Sequence, residues 1–276
     1  MRYDPEHVRR YFDEYGSKEW DRLASSLESQ VSFHLHQKYL LEYVHGGDRV
    51  LEVGPGPGRF TRELAELGAR VVAFDISAEQ LRLNQQRMKC EGVAEAVEEW
   101  VQGDVTDLGR FEDGEFDAVV AYGGPLSYVC DRADQAMAET LRVTRAGGHV
   151  LLSVMSHLGT TRRFLPGIVE MAFRHGLDKV DTVTRTGNLL GAVASGHHCH
   201  MYRWSELEEL LQGHACDIVT ASASGFLAVQ NEDTLRLAHS RLELWETFLQ
   251  WEETLCQEAG ALDGGTHIIA VVCKQT

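Results

Sequence analysis

The sequence predicts an α/β fold, a doubly wound and mostly parallel sheet with helices on both faces. Three observations predict it. Between residues 49 and 155, short runs rich in Val, Ala and Phe alternate with helical stretches, the pattern of strand–helix–strand units in a parallel sheet. The first run, Val50-Leu51-Glu52-Val53, leads into Gly54, Gly56 and Gly58 and then at once into a helical pattern. Closely spaced glycines between a strand and a helix let backbone amides approach a nucleotide at the helix N-terminus. After Met155 the alternation stops until Trp204, a stretch longer than ordinary connectors. The expected division is a helical lid at 1–45, a nucleotide-binding core at 46–155, a cap insertion at 156–203, and the rest of the sheet at 204–276 with a helical insertion at 230–262.

Residues 4–44 read as helices. Pro5 opens the first, whose apolar face carries Val8, Tyr11, Phe12 and Tyr15, and Gly16-Ser17 breaks it. A second is expected over 19–27 and a third over 31–44. Gly46-Gly47-Asp48 turns into the first strand, 49–53. The helix at 59–67 stops at Gly68, and the second strand, 70–74, ends on Asp75. Ser77-Ala78-Glu79-Gln80 is a capping box for the next helix. The third strand, 96–103, precedes Asp104. The fourth, 116–122, runs into Gly123-Gly124-Pro125. A helix at 131–144, the Gly147-Gly148 turn and a fifth strand at 149–155 complete the regular part. Beyond it come a helix at 166–175, a helix from Trp204 to Gly213, a sixth strand at 216–223, a long helical segment at 234–259, and a last strand at 266–273.

Composition narrows the function. The chain has 276 residues, 26 Lys and Arg against 42 Asp and Glu, and a formal charge of −16. That balance disfavours nucleic acid, which draws on clustered cations. No apolar run approaches the roughly 20 residues that span a membrane. The charged N-terminal stretch lacks an apolar signal core, and the 6 cysteines lack paired spacing. The expectation is a cytoplasmic protein with free thiols and a small-molecule partner.

The turn itself is E-x-G-x-G-x-G. A dinucleotide site uses G-x-G-x-x-G. Here the third glycine comes one residue early, and a carboxylate sits beside the turn. A carboxylate repels phosphate and suits an ammonium, so the implied ligand carries an adenosine and a cationic head.

These residues resemble motif I of the class I S-adenosylmethionine-dependent methyltransferases, and the resemblance runs from about Val50 to about Met155. It implies a Rossmann-like, seven-stranded sheet with one antiparallel strand, and S-adenosyl-L-methionine as cofactor. On that reading Gly54, Gly56 and Gly58 form the cradle and Glu52 meets the methionine amino group. Asp75 takes the ribose hydroxyls, with Ile76 and Gln80 beside it. Gly103, Asp104 and Val105 hold the adenine edge. Ala121, Tyr122 and Gly123 flank the methionine portion. Many nitrogen- and DNA-methylating members carry D/N-P-P-Y/F after this strand. This chain reads Tyr-Gly-Gly-Pro-Leu-Ser-Tyr over 122–128, which leaves the methylated atom unassigned. A nicotinamide-dependent oxidoreductase is the rival for this half. The glycine spacing and the lack of a second nucleotide-binding half count against it.

Transfer from a sulfonium is an in-line displacement that rests on positioning, with a base needed only where the acceptor must lose a proton. In Gly196-His197-His198-Cys199-His200 an extended chain puts His198 and His200 on one face. Those two are the candidate bases. The cluster also looks like metal ligands, but the second half of a ligand spacing is missing, so no metal is expected. Structural hydrogen bonding of lid residues is the third reading. The N-terminal segment resembles the lids of small-molecule methyltransferases, so Tyr11 and Tyr15 are assigned to the cofactor, with Tyr3 and Trp20 as further aromatics able to cover a sulfonium. Phe33, His34 and His36 are candidates for the same wall. Leu244, Phe248, Trp251 and Leu255 share one helical face, and this or the N-terminal helices could form a homo-oligomer surface. The function expected is methyl transfer to a small molecule, such as a secondary metabolite. The alternatives are methylation of a protein or RNA and a non-catalytic cofactor-binding module.

Overall fold

The structure is a computed structural model that describes residues 1–17, 20, 26–190 and 196–276. The helix expected over 19–27 falls largely outside the described residues, as do residues 191–195 of the expected cap insertion. Strands β1 (Arg49–Val53), β2 (Arg70–Asp75), β3 (Val97–Gln102), β4 (Phe116–Ala121), β5 (Thr144–Met155), β6 (Cys216–Ala223) and β7 (His267–Lys274) form one 7-stranded sheet in the order β3-β2-β1-β4-β5-β7-β6. Pairing is parallel from β3 across to β5, and β7 runs antiparallel to both β5 and β6. The helices of eight residues or more among the described residues are α1 (Pro5–Tyr15), α2 (Leu27–Tyr43), α3 (Arg59–Glu66), α4 (Ala78–Glu91), α5 (Ala133–Val143), α6 (His157–His175), α7 (Asp178–Thr186), α8 (Trp204–Gln212), α9 (Glu232–His239) and α10 (Leu242–Leu255).

The central strands are apolar on both faces because helices cover both. Leu51 and Val53 join one core cluster with Met137 and Leu141 of α5 and Leu207 and Leu211 of α8. Val50 joins the other, with Val31, Leu35 and Tyr39 of α2, Leu64 of α3 and Met88 of α4. This is the two-residue alternation of a strand buried on both sides. The order of strands reverses between β1 and β4, so their carboxyl ends open a crevice at the topological switch point. Gly54, Asp75, Gly103-Asp104 and Tyr122-Gly123 directly follow or end β1, β2, β3 and β4, and so share that edge.

Several boundaries differ from the expected ones. Strand β5 begins at Thr144 and takes in the glycine pair expected to precede it. Helix α6 starts at His157, where Ser156 Oγ accepts from Gly159 N, and continues through Pro166. A proline there leaves the Arg162 carbonyl without its helical donor. Gln230 Nε2 donates to that carbonyl at 3.0 Å and to Arg163 O at 2.8 Å, so the helix passes through a residue that the sequence reads as its start. The capping box at Ser77 is half formed. Ser77 Oγ accepts from Gln80 N at 3.1 Å, but Asp75 Oδ1 already accepts from Ser77 N at 2.8 Å. The Gln80 amide turns instead to Phe12 O and Gly16 O, which docks α1 on the start of α4.

Candidate functional site

Backbone geometry builds the crevice first. Gly54 has φ +66°, and a Cβ there would lie 2.9 Å from Pro125 Cγ; a Cβ on Gly103 would lie 2.4 Å from Phe74 Cζ. Neither position has room for a side chain, so the cavity is bounded by bare main chain at both. The cavity, about 1130 Å³ counted to its open mouth, is bordered by Gly54, Gly56, Asp75, Ile76, Gln80, Gly103, Asp104, Val105, Tyr122 and Gly123, all expected from the sequence. Asp75 is buried, with Oδ1 on Ser77 N and Oδ2 accepting from Gly56 N at 3.2 Å. The carboxylate thereby ties the glycine turn to the tip of β2. Asp104 Oδ1 accepts from Thr106 N and Thr106 Oγ1, while Oδ2 accepts from the Tyr3 hydroxyl at 2.8 Å. Burial and the Asp104 carboxylate hold that hydroxyl protonated far above its ordinary range.

Five residues expected at the cofactor do not line this cavity: Glu52, Gly58, Ala121, Tyr11 and Tyr15. Glu52 lies beneath the turn, where Thr61 Oγ1 donates to it at 2.6 Å; Asn84 donates to Thr61 Oγ1 and Trp100 Nε1 donates to Asn84. This buried chain fastens the turn to α3 and α4. Burial first, and then the nearby Asp75 charge, push the Glu52 pKa up to about 8. Gly58 is the αL N-cap of α3, and Ala121 packs in the sheet core. On α1 the lining residues are Val8 and Phe12, one helical turn apart, with Tyr3 preceding the helix. Tyr11 and Tyr15 lie on the adjoining face, stacked at 5.6 Å.

The candidate bases also lie elsewhere. Neither His198 nor His200 lines the cavity. His198 Nε2 pairs with Arg2 O at 3.1 Å, and His200 Nδ1 pairs with Asn188 Oδ1 at 2.9 Å in a short ribbon with Asn188–Leu189. Burial holds the His200 pKa below its ordinary value. His197 bridges two tyrosines, Tyr11 Oη at 2.7 Å and Tyr128 Oη at 2.9 Å, and His7 Nε2 pairs with Gly196 O. The segment straps α1 to the turn after β4 from outside, and none of the described residues of 156–203 lines the cavity. Among the described residues, no group of three His, Cys, Asp or Glu is placed to hold a metal ion.

The histidines that do line the cavity are His36 and His267. Their rings lie 6.4 Å apart, and His36 meets Tyr122 edge-on at 4.7 Å. His36 Nδ1 lies 2.7 Å from Ser32 O. A carbonyl only accepts, so Nδ1 carries the proton and Nε2 holds the lone pair in the neutral ring. Phe33 and Phe60 stack at 5.4 Å and complete an aromatic compartment with Tyr122. His34, expected here, turns away to Glu253 at 2.7 Å. The sequence named Phe33 and His36 together with His34 as candidates for this wall; nothing local in it pointed to His267, which antiparallel β7 carries in from the far end of the chain.

This sheet, with its glycine cradle and carboxylates at the strand tips, is similar in fold to S-adenosylmethionine-dependent methyltransferases. Residues 51–152 match the family model described as "Methyltransferase domain". The chain is 33% identical over 156 residues to a demethylmenaquinone methyltransferase from Thermobifida fusca, an overlap of 56% of this chain and 64% of that protein. It is 32% identical over 152 residues to a ubiquinone/menaquinone biosynthesis C-methyltransferase from Hahella chejuensis, covering 53% of this chain and 58% of the relative. It thus spans less than two thirds of the length of these curated relatives. A SAM-dependent methyltransferase from Methanosarcina mazei superposes with a TM-score of 0.56 at 16% identity, over 86% of this chain and 97% of that one, a likeness of fold. No described helix is long and apolar enough to cross a membrane.

Proposed function

We propose that this protein transfers the methyl group of S-adenosyl-L-methionine to a small-molecule acceptor in the cytoplasm. The observation that carries the reading is the continuity of one cavity, from the glycine turn, Asp75 and Asp104 into the compartment of Phe33, His36, Phe60, Tyr122 and His267. The chemistry of the first half fits the cofactor. The Asp75 carboxylate, already oriented by two backbone amides, accepts from ribose hydroxyls. Asp104 and the bare backbone at Gly103 suit an adenine edge. The unobstructed turn at Gly54 and Gly56 admits the amino-acid portion. When bound, the cofactor supplies an electrophilic methyl carbon on a sulfonium.

The protein's part is to position and desolvate the acceptor. With the acceptor so held, the bound cofactor would supply the methyl group and its sulfur would keep the electrons of the carbon–sulfur bond. His36 Nε2 accepts the acceptor's proton where it has one to lose, and the aromatic walls exclude water. His198 and His200 serve the strap that holds α1. The relatives named for quinone methylation support a small acceptor.

Incubating the purified protein with methyl-labelled cofactor and a cell extract tests this. Label is expected in extractable small molecules; label confined to macromolecules, or none transferred, sinks the proposal. His36→Ala is expected to lower turnover at least about ten-fold, within the usual reach of acid–base assistance, while His198→Ala stays within about two-fold of wild type.

A further inference from the structure

Helix α6 is fixed to the body of the protein at its start. Gly159 abuts Gly265 O, where a Cβ would have no room. Thr160 Oγ1 donates to Thr266 O at 3.2 Å, and Arg163 pairs with Glu28 at 3.0 Å. Of the helix's 19 residues only His157 and Gly159 are buried. Leu158, Leu165, Val169 and Phe173 follow one stripe by helical spacing, and Leu177 continues it in the turn to α7. All five are exposed, Val169 at 59%, Leu177 at 72% and Phe173 at 91%. Half of the large apolar side chains exposed among the described residues fall within 158–190. Helix α7 packs on α6 yet leaves the stripe in water.

At roughly 100 Å² each, these side chains present roughly 500 Å² of apolar surface to solvent, near the upper end for the largest patch on a monomer. A standard interface takes about 800 Å² from each partner, about two-thirds of it apolar between identical chains. The stripe therefore matches what one copy contributes to a dimer. Charge decides between occupants. Residues 157–190 hold five Lys and Arg against three Asp and Glu, while the whole chain carries −16. An anionic bilayer repels such a chain, whereas a second copy laid on this stretch meets surface that is not acidic. Arg163, Arg174 and Arg185 pair with Glu28, Glu170 and Asp181. Arg162 and Asp178 have no ion pair among the described residues, and Arg162 Nη2 donates to Gly264 O at 2.7 Å. These two exposed charges flank the stripe at opposite ends. Antiparallel packing about a two-fold axis at Val169 sets Leu165 on Phe173 of the other copy and brings Arg162 toward its Asp178. Such a contact is self-complementary and closes at two copies. On α10, by contrast, Phe248 of the face expected to serve an oligomer is buried in the core.

We propose that α6 is a self-association face. Two copies of this chain dock antiparallel along Leu158, Leu165, Val169, Phe173 and Leu177, with Arg162 of each paired to Asp178 of the other. No residue of α6 lines the cavity, so the inference stands apart from the methyl-transfer reading.

Sedimentation velocity on the purified full chain tests this, and a dimer is expected at tens of micromolar. Val169→Glu and Phe173→Glu are each expected to weaken it about 100-fold or more, since each buries an unpaired charge at the centre. Arg162→Glu is expected to weaken it about ten-fold, and adding Asp178→Arg to recover most of that loss, to within about three-fold of wild type. Val169→Cys, on the axis, is expected to give a disulfide between the two copies of residue 169 under oxidised glutathione, identified by peptide mass mapping so that the native cysteines are told apart. A monomeric wild type, a dimer that survives Val169→Glu, or no such cross-link in Val169→Cys would overturn the proposal. A surviving dimer would move self-association to another face such as α10. A monomer that floats with vesicles of phosphatidylcholine and phosphatidylglycerol would give the stripe to a lipid surface. The wild-type measurement needs no variant to fold, and circular dichroism checks the variants, all at exposed positions.

Discussion

Glu52 sits under the glycine turn on Thr61, and burial with Asp75 nearby pushes its pKa up to about 8. An acid whose folded pKa lies above its ordinary value holds more protons folded than unfolded. Its stabilising contribution is full below the ordinary carboxylate range and is lost as pH rises through about 8. Ligand-free protein is therefore expected to lose stability between about pH 5 and pH 8, with a slope no steeper than about 1.4 kcal/mol per pH unit from this group. Denaturant unfolding across that range should show the slope in wild type and a flatter one in Glu52→Gln; equal slopes would remove Glu52 as its source. The residue type and its place before the glycines were legible in the sequence. Its orientation was not, because a strand-end side chain can point into the crevice or back under the turn, and the choice falls to partners such as Thr61 and Asn84.

At the scale of elements, α1 is held to the core by polar contacts at both ends. Asp13 Oδ1 accepts from Ser77 Oγ at 2.6 Å, and the Gln80 amide donates to Phe12 O and Gly16 O. Toward its start, Tyr3 reaches Asp104 and His7 reaches Gly196. The helix closes one side of the cavity with Val8 and Phe12. Asp13→Ala is expected to loosen it, so limited proteolysis within residues 1–17 should speed up several-fold, and S-adenosylhomocysteine should slow it again. Unchanged cleavage would mean that the strap at 196–198 alone holds the helix. An aromatic-rich helix over the site was legible from spacing. The face turned inward was not, because Val8, Tyr11, Phe12 and Tyr15 all lie on one broad apolar arc, and only docking on α4 rotates Val8 and Phe12 to the cavity. Within the 156–203 segment expected as a cap, Gly196 and His197 brace α1 from outside.

For the whole molecule, the site lies where β1, β2, β3 and β4 end together, so a ligand there ties much of the sheet into one unit. S-adenosylhomocysteine at about 100 times its Kd is expected to add about 2.7 kcal/mol, a rise in Tm of roughly 5–10 °C for a domain of this size. Thermal unfolding by circular dichroism measures it. Asp75→Ala should need about 10–100 times more ligand for the same rise, from the loss of charge-assisted bonds to the ribose and of the Gly56 and Ser77 contacts. A full shift in that variant at wild-type concentrations would sink the ribose assignment.

The half of the cavity proposed for the cofactor was readable from the chain alone because its parts are local. Each strand tip carries its own turn, and hydrophobic runs, glycine spacing and an acidic residue within a few positions specify both the element and the side chain it presents. The half proposed for the acceptor was decided by tertiary structure. Arg59, Phe33, His36 and His267 come from α3, α2 and β7, and no short-range pattern records that packing brings them against one aromatic wall. Local sequence set which backbone borders the cavity. Long-range burial selected which of the chain's 13 histidines stand in the cavity.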